Sequence, residues 1–187
     1  MAEIGQPLSY GGIRLPNNVL LAPLAGYTDF AFRKLCYSFG AGGCFTEMVS
    51  AKGLAYHNEA TRALLYLDPS ERYTAAQLFG SDPDILRAAC ESEDLAPFDL
   101  IDINMGCPAP KIAAGGGGVS LMRNPKLCGA LVAAVKKSVP ELPVTVKIRS
   151  GWDDTEKNAV EVALRCEAAG AAAVAVHGRT RAQMYRP

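Results

Sequence analysis

The stretch FDLIDINMGCPAPKIAAGGGGVSLMRN, residues 98–124, decides how the rest of the chain is read. It opens with an apolar, isoleucine-rich run broken by Asp99 and Asp102, the pattern of a strand covered on both faces. Asn104-Met105-Gly106-Cys107-Pro108 ends that run abruptly. A thiol therefore stands at the carboxyl end of a buried strand. In α/β sheets and barrels that edge is where ligands bind, and this position marks Cys107 as a candidate reagent. The competing role is the commoner one for cysteine, a small buried hydrophobe. The glycine run from Gly115 to Gly118 is not a phosphate loop, because no Lys-Ser or Lys-Thr follows it.

Outward from this strand the same unit repeats. Residues 11–16 read as a turn-rich lead-in, and residues 19–22 as a short apolar strand that meets Pro23. Thr28 or Asp29 offers an N-cap for a helix over residues 30–39, whose Phe32, Leu35, Cys36 and Phe39 recur at helical spacing. Residues 44–48 give a second strand. A helical stretch at 50–55 follows, then a polar link over 57–62 in which His57 is expected to be exposed. TAAQLF at 74–79 is the third strand, and Ser81-Asp82-Pro83 caps a helix to about residue 93, with proline in its first turn.

Beyond the central stretch, Asn124-Pro125 starts a helix to residue 137, and VTVKI at 144–148 is the fifth strand. Asp153, Asp154 or Thr155 can cap a helix over 156–169, and AAVAV at 172–176 is the sixth strand. Polar or special residues gather just past the strand ends: Pro23, Glu47, Gln77, Asn104, Cys107, Lys147 and His177. Regular alternation of short apolar strands with helices is the signature of parallel βα units, hence an α/β fold. The first βα turn, PLAGYTD, lacks G-x-G-x-x-G, which argues against a Rossmann sheet and for a (β/α)8 TIM barrel. Such barrels take about 250 residues and eight strands, so the chain reads as a barrel portion truncated after about six.

Composition narrows the class. The chain has 187 residues, 49% hydrophobic and 20% charged, with no formal net charge, an ordinary globular balance with no general pull toward nucleic acid. Any RNA contact must come from a local patch. The six cysteines are scattered without a C-x-x-C pair and only two histidines are present, so neither a disulfide framework nor a metal site is expected. No apolar run approaches the roughly 20 residues that span a bilayer, and no signal-peptide pattern opens the chain. The expected setting is the cytoplasm, with no membrane partner.

Six segments taken together resemble the tRNA-dihydrouridine synthases, flavin-dependent reductases of uridine in tRNA. They are LAPLAGYTDFAFRKLC (21–36), TEMVSAKGL (46–54), AAQLFGSDP (75–83), DLIDINMGCPAPK (99–111), VTVKIRSGWDD (144–154) and VHGRTRAQMY (176–185). The resemblance implies flavin mononucleotide (FMN) across the barrel mouth, with NADPH or NADH as reductant. Pro23, Leu24 and Ala25 would hold the ring edge through backbone groups, and Gln77, Lys147 and His177 would contact the isoalloxazine or ribityl region. Lys147, flanked by apolar residues, needs an electron-rich partner, which a reduced flavin supplies. Cys107 would be the proton donor to uracil C5, opposite the hydride delivered to C6; a free thiol, with a pKa of roughly 8.5, suits that task.

Asn104 would hydrogen-bond the uracil or the flavin, and Lys111, Arg179 and Arg181 are candidate tRNA contacts. Many relatives carry a further basic residue just before the glycine run, where this chain has Ala114. They also continue with two more strands that hold the flavin phosphate and with a helical tRNA-binding domain, none of it in this sequence. Two other classes compete with this reading. A flavin-free barrel lyase or aldolase would use Lys147 as a Schiff-base amine, and a non-catalytic barrel remnant would leave sheet edges open.

Overall fold

In the computed structural model, which describes residues 5–184 and 186, six strands pair in parallel and strictly in chain order. They are β3 (Leu20–Leu21), β4 (Gly43–Ser50), β5 (Thr74–Phe79), β6 (Leu100–Met105), β7 (Val144–Gly151) and β8 (Ala173–Thr180). The sheet curls into part of a barrel. Helices α1 (Phe30–Ser38), α2 (Ala51–Ala55), α4 (Pro83–Ala89), α6 (Pro125–Ser138) and α7 (Ala159–Ala168) lie between consecutive strands, and α2, α4, α6 and α7 pack side by side. The partial TIM barrel read from the strand–helix alternation is what the chain forms.

The two-residue period of each strand sorts its side chains. Ala76, Leu78, Ile101, Ile103, Met105, Val144, Val146 and Ile148 join Leu86, Leu131, Val132 and Val162 of the helices in one buried apolar cluster. Their alternates, Gln77, Asp102, Asn104, Thr145, Lys147 and Arg149, are polar and lie on the opposite face. At about 25 cal/mol per Å² of apolar surface, the helix-facing cluster supplies the main drive for folding. The concave face is left for polar work.

Several local expectations are corrected. Residues 8–15 form a hairpin, β1 (Leu8–Tyr10) with β2 (Ile13–Leu15), rather than a turn-rich lead-in. Its loop is Gly11-Gly12, both at positive φ, as a two-residue hairpin turn demands, and the strands are too short to announce themselves by alternation. The hairpin sits against the amino ends of β7 and β8, where a Cβ on Gly11 would fall 2.5 Å from Pro143 Cβ and 2.9 Å from Ala172 Cβ. The polar link at 57–62 is largely taken up by α3 (Glu59–Ala63), which runs one residue past it and is capped by Asn58; the helix buries no residue and so carries no apolar stripe. His57 is exposed, as expected.

Helix α4 stops at Ala89, and a separate 3-10 turn covers Glu93–Leu95. Asp153 folds onto the N–H groups of Thr155 and Glu156 instead of capping α7, which starts three residues later at Ala159. The glycine run is flanked by α5 (Pro110–Ala114) and a 3-10 segment at Gly118–Arg123. Strands β7 and β8 run on past residues 148 and 176 to Gly151 and Thr180. Tyr185, the last residue of the VHGRTRAQMY motif, lies outside the described residues.

Helix α1 departs furthest from its pattern. Asp29 caps it, accepting from Phe32 N at 2.9 Å, but Phe32, Leu35 and Phe39 are exposed and the helix buries Arg33 instead. Arg33 donates to both carboxylate oxygens of Glu71 (2.7 and 3.0 Å) and to the carbonyls of Thr28 and Tyr66. Glu71 accepts in addition from Asp68 N and Thr74 Oγ1. One ion pair thus ties α1, the 64–73 loop and β5 together. Replacing Glu71 with Ala leaves a guanidinium buried without its counter-charge and is expected to cost about 3–5 kcal/mol, read from the urea unfolding midpoint. Breaking the exposed Lys34–Asp68 pair should cost less than about 1 kcal/mol, and equal losses would show that the buried pair is not the anchor.

Candidate active site

Parallel pairing places the polar residues of neighbouring strands side by side. Gln77 is in register with Asp102, Asp102 with Thr145, Asn104 with Lys147, and Arg149 with His177. Thr145, Asp102, Gln77 and Asn104 are joined by side-chain hydrogen bonds into one row. Thr145 Oγ1 donates to Asp102 Oδ1 and Gln77 Nε2 to Asp102 Oδ2, each at 2.6 Å. Asn104 Nδ2 donates to Gln77 Oε1 at 2.9 Å, and Asn104 Oδ1 accepts from the N–H groups of Gly106 (3.3 Å) and Cys107 (3.0 Å).

The turn that carries the thiol is held from other sides as well. Arg149 Nε donates to Gly106 O at 2.9 Å, and Cys107 O accepts from Val119 N at 3.0 Å. Gly118 makes the second contact feasible. It has φ +56, and a Cβ there would lie 2.5 Å from Cys107 O and 3.1 Å from Cys107 Cβ. The glycine run therefore serves the thiol turn by letting backbone come close.

Above this row lies a half-open cleft of about 640 Å³. Pro23, Leu24, Ala25, Gln77, Asn104, Cys107, Lys147 and His177 all line it, so eight candidate residues from five strand ends converge. Arg149, Met48 and Met184 line it too and were not anticipated. The signal for Arg149 was present, since in K-I-R it follows Lys147 at the two-residue period and must share its face. Glu47 accepts from Gly26 N and so fixes the loop after β3. Within that loop Leu24 has its N–H bonded to Thr28 Oγ1 and its carbonyl to the N–H groups of Tyr27 and Thr28, so its backbone is committed to the turn.

Lys111, Arg179 and Arg181 do not line the cleft. Lys111 is exposed on α5, Arg179 is half-buried on β8, and the Arg181 guanidinium lies 4.6 Å from the centroid of the Trp152 ring, which Arg123 also approaches, at 5.0 Å.

Lys147 and Arg149 give one wall of the cleft a positive character, with His177 beside them. Burial lowers the Lys147 ammonium from its ordinary range; Asp102 counters this and Arg149 adds to it. His177 is also lowered, first by burial and then by Arg149, Lys147 and Arg179. Asp102, fully buried beneath, is pushed up to about 6 by desolvation, against the hydrogen bonds from Gln77 and Thr145 and the charge of Lys147. Among the described residues no cluster of three or more His, Cys, Asp or Glu side chains could hold a metal ion, and no helix is long and apolar enough to cross a membrane.

Two measurements test this geometry. Gly118→Ala should lower stability by at least about 1 kcal/mol, the cost of a side chain in the left-handed region, and change the alkylation rate of Cys107. Gly117→Ala, whose Cβ would meet only ordinary contacts of 3.5 Å and longer, should do neither. By NMR, His177 should titrate below 6.5 and move upward in Lys147→Met. The sign for stability follows: below 6.5 the unfolded chain takes a proton that the folded site resists, so His177 subtracts stability as pH falls from there toward its folded value. A His177 midpoint unmoved by Lys147→Met would show that the two do not share a wall.

The dihydrouridine synthase (Dus) family model matches residues 20–187. The tRNA-dihydrouridine synthase B of Pseudomonas aeruginosa is 42% identical over 175 residues, which are 94% of this chain and 52% of that protein. The probable tRNA-dihydrouridine synthase 1 of Synechocystis sp. is 42% identical over 181 residues, 96% and 50% of the two chains. This chain thus spans about half the length of the curated relatives it matches. Among solved structures, a variant of NCR from Zymomonas mobilis superposes with a TM-score of 0.64 at 15% identity, covering 100% of this chain and 74% of that one, a likeness of fold. With the family model spanning nearly all of its sheet and the whole of its cleft, the chain belongs to the dihydrouridine synthase family.

Proposed function

We propose that this chain is the flavin-binding catalytic part of a cytoplasmic enzyme that reduces the C5=C6 bond of specific uridines in tRNA to 5,6-dihydrouridine, with FMN as cofactor and NADPH or NADH as reductant. The observation that carries the reading is the convergence on one cleft of a thiol on a tightly held turn, Cys107, and a wall of nitrogen donors, Lys147, Arg149 and His177. Membership of the family and the names of the relatives point the same way.

The residues fit a flavin. The cleft combines apolar surface from Leu21, Ala22, Pro23 and Met48 with cationic donors along one wall, which suits a flat ring with an electron-rich edge. Lys147 and His177 would hold that edge, Gln77 would present what remains of its amide, and the loop at Pro23, Leu24 and Ala25 would bound the ring. When bound, FMN supplies the hydride that reaches uracil C6. The protein's part is the proton: hydride addition leaves negative charge delocalised toward the C4 carbonyl, and C5 must then be protonated. Cys107 would hold that proton, with its turn fixed by Asn104, Arg149 and Val119 so that the thiol keeps one place while the base enters. A uridine reaching this depth must leave the tRNA stack, and Lys111, Arg179 and Arg181 would meet the surrounding backbone.

The lowered Lys147 ammonium also favours a second reading, a Schiff-base lyase. Borohydride trapping of a carbonyl substrate on Lys147 would support it. Cys107→Ala in the full-length protein decides for the reductase. It should still bind FMN and oxidise the nicotinamide, while dihydrouridine formation slows by about 100-fold or more, the usual worth of a general acid. Near-normal dihydrouridine formation would place the acid elsewhere.

A further inference from the structure

Asp102 does not line the cleft, yet it begins the only chain of side-chain hydrogen bonds among the described residues that ends on the backbone of Cys107. It is 1% exposed on the central strand β6, between Gln77 of β5 and Thr145 of β7, with Lys147 and the hairpin's Tyr10 as the other titratable groups that feel its charge. A carboxylate can only accept hydrogen bonds. Gln77 must therefore turn Nε2 toward Asp102, which leaves Oε1 facing Asn104. Asn104 must then offer Nδ2 to Gln77, which leaves Oδ1 to accept from Gly106 N and Cys107 N. Each amide has one orientation that satisfies both neighbours. Reversing either would set donor against donor at the Cys107 N–H or acceptor against acceptor at Asp102, at the cost of an unsatisfied buried group.

We propose that Asp102 is a positioning residue: by fixing the direction of the Gln77–Asn104 hydrogen bonds, its carboxylate holds the backbone of Cys107, and with it the thiol, in the cleft. The relay rests on geometry alone. Its use in proton delivery rests on the reading of Cys107 given above. Because the argument concerns direction and not size or charge as such, it makes an unusual demand: exchanging the two ends of the Asp102–Gln77 pair should preserve everything downstream. With Asn at 102 and Glu at 77, the amide nitrogen at 102 donates to the carboxylate at 77. That carboxylate still accepts from Asn104 Nδ2, and Asn104 Oδ1 still accepts from Cys107.

The experiment uses full-length protein without added flavin or tRNA. In the wild type, NMR should detect a scalar coupling across the hydrogen bond from the Cys107 amide nitrogen to the Asn104 side-chain carbonyl carbon. Asp102→Leu, which keeps the volume and removes the acceptor, should speed amide exchange at Cys107 by about tenfold or more, the worth of one buried hydrogen bond, and alter the alkylation rate of its thiol. Asp102→Asn combined with Gln77→Glu should keep both within about threefold of wild type, since the exchanged pair preserves the direction of every bond downstream. A merely space-filling role for Asp102 predicts no effect of Leu, which fills the same space. Absence of the coupling in wild type, unchanged exchange in Asp102→Leu, or a double variant as fast as Asp102→Leu would each overturn the relay. Should the single variant fail to fold, the wild-type coupling and the double variant still decide. Failure of the relay is separate from failure of the reductase reading, because dihydrouridine formation by Cys107→Ala bears only on the latter.

Discussion

A carboxylate buried in the middle of a parallel sheet is the constraint on which the site depends. Removing Asp102 from water costs several kcal/mol unless its oxygens are bonded, and the sheet meets that cost by register alone. Gln77 and Thr145 stand at the same level on the two flanking strands, each at 2.6 Å. A slip of one residue in either pairing would turn one of these partners toward the helices and leave the carboxylate with an empty side. The apolar alternates have the same stake in register, because Ile101, Ile103, Val144 and Val146 would then face the cleft. Packing and polar bonding thus select one alignment of β5, β6 and β7, and the thiol turn inherits its position from that alignment.

The strands were legible because each short apolar run is closed by glycine, proline or a polar residue, and parallel βα units follow from their spacing. What escaped were elements whose stability is not written in a stripe. The β1–β2 hairpin depends on a Gly11-Gly12 turn pressed against Pro143 and Ala172, contacts made across the whole chain. Helix α3 buries nothing of its own. Helix α1 was read correctly in extent but not in its burial, since the Phe32, Leu35 and Phe39 face is exposed and the anchor is a buried Arg33 that periodicity classes as polar. The partner that makes Arg33 buriable, Glu71, lies 38 residues away.

For the site, the residues at strand ends were legible and their division of labour was not. Eight candidates share the cleft, yet Gln77 and Asn104 spend most of their bonding capacity on each other, on Asp102 and on the thiol turn. Asp102 looked like an interruption in an apolar run, and nothing short of the pairing register could have promoted it. Arg149 was within reach of the two-residue period, whereas its bond to Gly106 O belongs to a crossing between strands that spacing cannot foresee. The three basic residues assigned to tRNA by motif are the ones the fold leaves outside the cleft, where Arg181 is stacked on Trp152.

The two sides of the cleft use opposite physics. On the thiol side the groups nearest the turn are amides and backbone, so position is set by directed hydrogen bonds with fixed donors and acceptors. On the other side Lys147 and Arg149 crowd positive charge beside His177, and burial together with that repulsion disfavours the charged forms of Lys147 and His177, which lowers both. Asp102 offsets part of that for Lys147, but it is sunk beneath the row and its own charge is held back by desolvation. The two sides are nonetheless tied together: Arg149 bonds Gly106 O directly, and Lys147 acts on Asp102, from which the hydrogen bonds through Gln77 and Asn104 lead to Cys107 N. An electron-rich ligand laid along the cationic wall therefore relieves the repulsion there and also changes the field at the carboxylate that orients the thiol turn.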